Sequence, residues 1–223
     1  MMSSESWVSE YSLGEEIAHA VTHGIGAALS IAGLAVLVAF SALYGNVWHI
    51  TSSSIYGATL ILCYTASTLY HSIPHPRAKR ILRQIDHASI FLLIAGTYTP
   101  FALVSLRDSW GWWLFGGVWG IALFGMIFEL FTEQRYKKAS LALYLGMGWL
   151  AVATIKPMLD SIGMGGLTLL LIGGLFYSLG VIFYVWDRLS YNHAVWHLFV
   201  LAGSAFHFFA ILFYVIPDGH WLT

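Results

Sequence analysis

Charged side chains are scarce in this chain of 223 residues: Asp, Glu, Lys and Arg make up only 9% of it, against a hydrophobic fraction of 58%. An ordinary soluble domain is roughly 25% charged. Because so few polar side chains cannot cover the surface of a water-soluble globule, that class of protein is excluded. A lipid bilayer is the solvent that suits this composition, so the sequence predicts an integral membrane protein.

Cysteine and long basic tracts are nearly absent as well. The single cysteine, Cys63, cannot close an intrachain disulfide or form a thiolate metal site, so we expect it to pack as a small hydrophobic residue. The formal net charge is −1. Without a basic tract the chain offers little to neutralise a phosphate backbone, and nucleic acid is not an expected partner. The first 16 residues also lack a basic region followed by a short apolar core, so no cleavable signal peptide is expected.

Stretches without Asp, Glu, Lys or Arg have room for seven membrane-spanning helices. The stretch 17–76 fits two helices of the ~20 residues that a bilayer requires, with a hinge between 44 and 54, where small and polar residues break the apolar pattern. Five further stretches hold one helix each. The predicted spans are 20–43, 52–73, 86–106, 110–130, 139–156, 163–186 and 192–216. They form one all-α domain, residues 17–217, between a tail of residues 1–16 and a tail of residues 218–223.

Lys and Arg in the short loops predict the orientation, because cytoplasmic loops carry an excess of both. Eight of the ten lie in loops on the side of the N-terminus: Arg77, Lys79, Arg80, Arg83, Arg135, Lys137, Lys138 and Arg188. Only Arg107 and Lys156 lie on the other side. We therefore expect a cytoplasmic N-terminus and an external C-terminus.

Several polar side chains fall inside the predicted spans, where polar groups are costly and mark functional sites. His193 and His197 are four residues apart at the start of the seventh span, so both rings lie on one helix face. His71 is in the last turn of the second span. Asp86 is expected in the first turn of the third, where the helix dipole favours an acid. The topology places all four at one depth near the cytoplasmic boundary, and three imidazoles with water in the fourth position suit catalytic zinc.

Two of these positions have several interpretations. Asp86 is a metal ligand, a general base or a group that holds water, and Ser67, one turn from His71, is a hydroxyl that donates to an oxyanion or steadies His71. The simpler interpretations are an N-cap or a partner of Arg83 or His87 for Asp86, and a hydroxyl bonded to its own helix backbone for Ser67.

Further polar residues flank this candidate site. Glu16, His19 and His23 are spaced i, i+3 and i+7 on the first helix, which favours a second shell around a metal or a polar entrance, with interfacial anchoring as the alternative. His207 is ten residues beyond His197, hence about 15 Å deeper along the helix. It cannot contact the same metal, and we expect it to line an internal cavity.

These residues fall in motifs that resemble the bacterial hemolysin III proteins, a branch of the progestin and adiponectin receptor superfamily. The resemblance spans nearly the whole chain and rests on Glu16 with Thr22-His23-Gly24, Ser67-Thr-Leu-Tyr-His71-Ser72, Asp86-His87, Ala95-Gly-Thr-Tyr-Thr-Pro100 and Tyr191-Asn-His-Ala-Val-Trp-His197. It implies a seven-helix bundle with the N-terminus inside. It also implies a zinc ion near the cytoplasmic side, held by His71, His193 and His197, with Asp86 near the water.

The resemblance implies more than one function. The superfamily is similar to alkaline ceramidases, and its receptor members are linked to hydrolysis of lipid amides, whereas the hemolysin name derives from cytolysis. The leading hypothesis is a zinc-dependent hydrolase of a lipid amide or ester in the bacterial plasma membrane. The alternatives are a non-catalytic sensor of the membrane with structural zinc, and a pore-forming cytolysin. A haem with histidine axial ligands is disfavoured by the shared depth of three histidines. The sequence leaves the substrate and the oligomeric state open.

Overall fold

The computed structural model describes residues 11–132 and 135–216, and within these two ranges the chain is helical with no strand. The α-helices are α1 (Leu13–Tyr44), α2 (Val47–Ser72), α3 (Pro76–Pro100), α4 (Gly111–Thr132), α5 (Lys137–Gly148), α6 (Ile155–Tyr184) and α7 (Asn192–Tyr214). A π-helical turn, Phe101–Ser105, continues α3, and a 3₁₀ segment, Trp149–Thr154, joins α5 to α6.

Five helical segments of the described chain are long and apolar enough to cross a bilayer: Leu13–Tyr44, Pro76–Ser105, Gly111–Thr132, Lys137–Tyr184 and Asn192–Tyr214. Helix α2 is rich in Ser, Thr and Tyr, yet 13 of its 26 residues are buried. It packs between α1 and α3, and the Tyr64 hydroxyl lies 2.6 Å from Ser204 Oγ on α7. Since its neighbours cover so much of it, α2 needs less apolar surface than the helices around it.

The chain reverses direction inside α6, at Gly163. This residue has φ 64° and ψ −178°, a conformation that is essentially restricted to glycine. The Trp149 indole donates to Ser178 Oγ at 3.0 Å although the two residues are 29 positions apart. A straight helix would separate them by about 43 Å, so the helix must fold back on itself between them. The reversal falls at the start of the predicted sixth span.

Two helix boundaries differ from expectation. Only Gly45 and Asn46 separate α1 from α2, so the predicted hinge between residues 44 and 54 was too long. Helix α2 can begin this early because the Asn46 side chain caps it by accepting from Trp48 N at 2.9 Å. Helix α3 begins at Pro76, a residue favoured in the first turn, rather than at residue 86. Asp86 therefore lies in the helix interior, and its predicted place in the first turn, beside the helix dipole, is wrong.

The predicted terminal tails are described only in part. Residues 1–10 and 217–223, which include ten of the 16 residues of the N-terminal tail and the whole C-terminal tail, lie outside the described residues. Helix α1 already begins at Leu13, where the Ser12 side chain accepts from Glu15 N and Glu15 in turn accepts from Ser12 N, so both end groups are paired. This capping box fixes the start of the helix that carries Glu16, His19 and His23.

Candidate metal centre

Three buried histidines from two helices meet at one end of α2 and α7. His71 is in the last turn of α2, and His193 and His197 occupy successive turns at the start of α7. One potential ligand atom from each of the three lies within 4.8 Å of the others. The structure thus brings together the imidazoles that the sequence singled out as metal ligands. A single cation can contact all three.

The hydrogen bond to Glu16 leaves one nitrogen of His71 available to a cation. His71 Nδ1 lies 2.7 Å from Glu16 Oε2, and since a carboxylate only accepts, Nδ1 carries the proton. Nε2 then keeps its lone pair, and it is buried without a hydrogen-bond partner among the described residues. A carboxylate that orients a histidine in this way is the usual support of a metal ligand. Glu16 also pairs with Lys79 Nζ at 2.8 Å.

Thr22 performs the same task for His197. The Thr22 hydroxyl has a single proton, which it donates to the carbonyl of Ala18 or His19 at 2.8 or 2.9 Å. Its oxygen therefore accepts from His197 Nδ1, 3.1 Å away. The proton on Nδ1 leaves the Nε2 lone pair of His197 free. Two of the three imidazoles are thus held in the tautomer that a metal ion requires.

Two further histidines of α1 lie against this cluster. The His19 ring is 4.6 Å from His71 and 4.9 Å from His193, centroid to centroid, and His19 forms a second potential metal-binding group with Glu16 and His71. The His23 ring stacks on His197 with centroids 3.4 Å apart and an angle of 9°. The face of α1 that was predicted to form a second shell or a polar entrance therefore lies directly against the histidine cluster. His19 is an alternative metal ligand to His193 and His197.

Asp86 and Ser67 line one cavity together with His193 and His197. Both are buried. Within residues 11–132 and 135–216, Asp86 is not part of the group whose ligand atoms lie within 4.8 Å of one another. Asp86 is thus outside the two described groups that could hold a metal ion directly. Ser67 Oγ has no partner of normal hydrogen-bond geometry in the described chain, so the backbone-bonded serine is not observed.

The cavity itself has a volume of about 220 Å³ and is mainly apolar. Its wall is built largely by α3, α6 and α7 and by the 139–154 segment; Ile90, Leu93, Leu145, Leu167, Leu171 and Val200 are typical members. His207 lines the same cavity. A polar end with histidines and a carboxylate, continuous with an apolar chamber, is the shape that an amphipathic molecule requires.

Sequence reasoning missed Thr22 and Lys79 as parts of the site. Thr22 was named only as part of the Thr22-His23-Gly24 motif, although its position on the face of α1 that bears Glu16 and His19 was a usable signal. The sequence indicated a role for Lys79 only as one of the positive charges that predict the orientation in the membrane. Its contact with Glu16 needs α3 to begin at Pro76, ten residues before the predicted start, so that Lys79 lies on the helix beside Glu16.

Comparison with known proteins gives consistent matches over most of the chain. The family model described as "Haemolysin-III related" matches residues 11–208. The chain is 48% identical over 205 residues to "Hemolysin-3" of Bacillus cereus, covering 92% of this chain and 94% of that one. It is 48% identical over 206 residues to a "Hemolysin-3 homolog" of Bacillus subtilis (92% and 97%), and 30% identical over 213 residues to human "Monocyte to macrophage differentiation factor" (90% and 84%).

Proposed function

Because this chain belongs to the haemolysin-III related family, and through it to the progestin and adiponectin receptor superfamily, we propose that it is a zinc-dependent hydrolase of membrane lipids. The spanning-capable helices and the Bacillus relatives identify a multi-pass integral protein of the bacterial plasma membrane. The observation that carries the proposal is the three-histidine cluster, two members of which, His193 and His197, line the same cavity as Asp86.

Zinc is the metal that these donors fit best. His71, His193 and His197 would hold it, since three neutral imidazoles with an open fourth position are the ligand set of catalytic zinc sites. The unpaired, buried Nε2 of His71 supports this assignment, because a polar atom left without a partner in the bilayer is costly. When bound, zinc supplies Lewis acidity that polarises a water molecule or a carbonyl oxygen.

The residues of the chain provide the remaining chemistry. Asp86 accepts a proton from the attacking water and returns it to the leaving amine or alcohol, the role of a general base and then a general acid. The Ser67 hydroxyl donates to the oxygen of the scissile carbonyl as negative charge develops there. The overall reaction adds one water across the bond, so an amide yields a carboxylic acid and an amine, and an ester yields an acid and an alcohol.

The mainly apolar cavity supports a lipid substrate. A chain about 15 Å long fits between the level of the histidine cluster and the level of His207, because these lie ten residues apart on α7. The substrate class we propose is an acyl amide or acyl ester whose carbonyl lies at the histidine cluster and whose hydrocarbon tail occupies the chamber.

We also propose seven membrane crossings with the N-terminus in the cytoplasm. The reversal at Gly163 divides the Lys137–Tyr184 segment into two antiparallel arms, which with α1, α2, α3, α4 and α7 make seven. The excess of Lys and Arg in the first turns of α3, just before and at the start of α5, and between α6 and α7 supports this orientation. The histidine cluster then opens toward the inner leaflet.

The test is loss of lipid hydrolysis in Asp86→Asn with retention of zinc. Purified protein is loaded with zinc and incubated with a plasma-membrane lipid extract, and the products are identified by mass spectrometry. The asparagine variant is expected to bind zinc within a few-fold of the wild type and to lose turnover. Asp160→Asn, which breaks an exposed ion pair with Lys156, is the matched control and keeps full activity. Equal product formation by wild type and Asp86→Asn contradicts the proposal.

A structural role for the metal is the second candidate. The cluster connects α2 to α7 directly and α1 through Glu16 and Thr22, so a bound ion would lock three helices whose packing lipids can bias. In that case His193→Ala lowers the melting temperature and abolishes the stabilisation by zinc, whereas no lipid is consumed by the wild type. The hemolysin name of the Bacillus relatives adds cytolysis as a third candidate, which a liposome-leakage assay tests directly.

A further inference from the structure

His207 is a polar residue in the cavity that the proposed hydrolysis does not use. Its Nε2 lies 3.1 Å from the carbonyl oxygen of Leu170 on α6, and since a carbonyl only accepts, Nε2 carries the proton. The other ring nitrogen, Nδ1, is then an acceptor. It is buried and has no hydrogen-bond partner in the part of the chain that the structure describes. An acceptor in this position requires a donor that the protein does not supply.

The ring is held in place from two sides. A Cβ atom at Gly173 would collide with the His207 ring, so the glycine lets the imidazole lie directly against the backbone of α6. The Tyr177 ring lies 5.4 Å away, centroid to centroid, and its hydroxyl is engaged with Ser204 Oγ at 2.7 Å. His207 is therefore packed against α6 rather than turned toward lipid, and Tyr177 already has its own partner.

The position along α7 sets the distance from the metal centre. Ten helical residues separate His197 from His207, which corresponds to about 15 Å. Both line the same cavity. A hydrocarbon chain with its polar end at the histidine cluster therefore brings its middle carbons to the level of His207.

We propose that His207 forms a second polar subsite, which accepts a hydrogen bond from a hydroxyl group in the middle of a lipid chain bound in the cavity. The subsite rests on the proposed function only in taking the occupant to be a lipid with its polar end at the histidine cluster. It selects hydroxylated acyl chains over plain ones, since a hydroxyl in an apolar chamber is stabilised only where an acceptor meets it.

The test uses oleic acid and ricinoleic acid, which differ by one mid-chain hydroxyl group. Both are acids of the kind that hydrolysis would release. Their affinities for the purified full-length protein in detergent are measured by calorimetric titration. Wild type is expected to bind ricinoleic acid about tenfold more tightly than oleic acid, equivalent to about 1.4 kcal/mol. His207→Phe keeps a ring and removes both nitrogens. This variant should bind oleic acid and ricinoleic acid with equal affinity.

Two further variants keep the result interpretable. His207→Gln retains a donor and an acceptor and should keep part of the preference. Thr97→Val removes another hydroxyl from the cavity wall, but that hydroxyl already donates to Leu93 O at 2.8 Å, so the preference should be unchanged. Equal affinities of wild type for the two acids overturn the subsite. So does an unchanged preference in His207→Phe, or a structure with ricinoleic acid in which only a water contacts Nδ1.

Failure of the hydrolase proposal gives a different result. These titrations involve no turnover, so the preference for ricinoleic acid persists in Asp86→Asn if the subsite is real. Hydrolysis without any preference at His207 refutes the subsite alone. A preference at His207 without hydrolysis refutes the enzyme alone and supports a lipid-binding protein.

Discussion

Glu16 offers the sharpest perturbation of the metal centre, because its two oxygens serve two different donors. Oε2 accepts from His71 Nδ1 at 2.7 Å, and Oε1 meets Lys79 Nζ at 2.8 Å. Glu16→Gln has the same shape but only one acceptor oxygen. Its amide NH₂ must therefore face one of the two donors, so either His71 loses its orienting partner or Lys79 loses its counter-charge.

The expected effect is a loss of zinc affinity. Changing the group that orients a metal-bound histidine typically costs about 10–100-fold in metal affinity. This corresponds to about 1.4–2.7 kcal/mol of binding free energy. Competition with a chromophoric chelator in detergent measures it, and Asp160→Asn serves as the control and should leave the affinity unchanged. His71→Asn, which removes the ligand itself, should lose more than Glu16→Gln.

A double variant tests the reason for the loss. Lys79→Met removes the second donor, so in Glu16→Gln/Lys79→Met the amide oxygen is free to accept from His71. The double variant should therefore bind zinc more tightly than Glu16→Gln alone. If Glu16→Gln binds zinc as tightly as the wild type, the hydrogen bond from His71 to Glu16 does not orient His71 for metal binding. If Lys79→Met lowers the affinity of the Gln variant further, the competition between donors is the wrong explanation.

The remaining predictions concern other features of the fold. Thr22→Val removes the oxygen that accepts from His197 Nδ1, so it should weaken zinc binding by about tenfold, the loss expected when a group that orients a metal ligand is removed. Thr22→Ser keeps the oxygen and should bind zinc nearly as tightly as the wild type. Chelator competition measures both affinities. Gly163→Ala forces a Cβ into a conformation essentially restricted to glycine and should lower the free energy of unfolding by about 1–3 kcal/mol, whereas Gly148→Ala, at a helical φ of −61° with open space around it, should not. Tyr191 has φ 59°, so Tyr191→Val should be less stable than Tyr191→Asn by about 1–2 kcal/mol in a denaturant titration; equal stabilities would mean that the backbone relaxes there.

The sequence predicts best those features of the fold and of the candidate site that depend on the geometry of a single helix. The histidines of α7 lie on one face because their spacing of four residues imposes it, whatever surrounds them. Helix α7 runs from Asn192 to Tyr214, close to the predicted span of 192–216, because polar residues mark its start and Pro217, which cannot continue a helix, follows shortly after its end. The depth of His207 along α7 also follows from helix geometry, since ten residues correspond to about 15 Å.

Other features depended on where helices extend and how they pack. A count of charge-free residues finds the part of a helix inside the bilayer, so it placed the start of α3 at 86 rather than at Pro76, which put Asp86 in the wrong turn. The contacts of Thr22 with His197 join residues 175 positions apart. They follow from the packing of α1 on α7, which no local pattern encodes. The central place of His19 has the same origin.

The measurement that tests the central claim most directly is the location of the metal. Anomalous diffraction at the zinc absorption edge, on crystals of protein grown with zinc, should show one site bonded to His71, His193 and His197, with Glu16 and Thr22 behind the first and third of these. A site on Glu16, His19 and His71, or no ordered zinc at the cluster, would contradict the account.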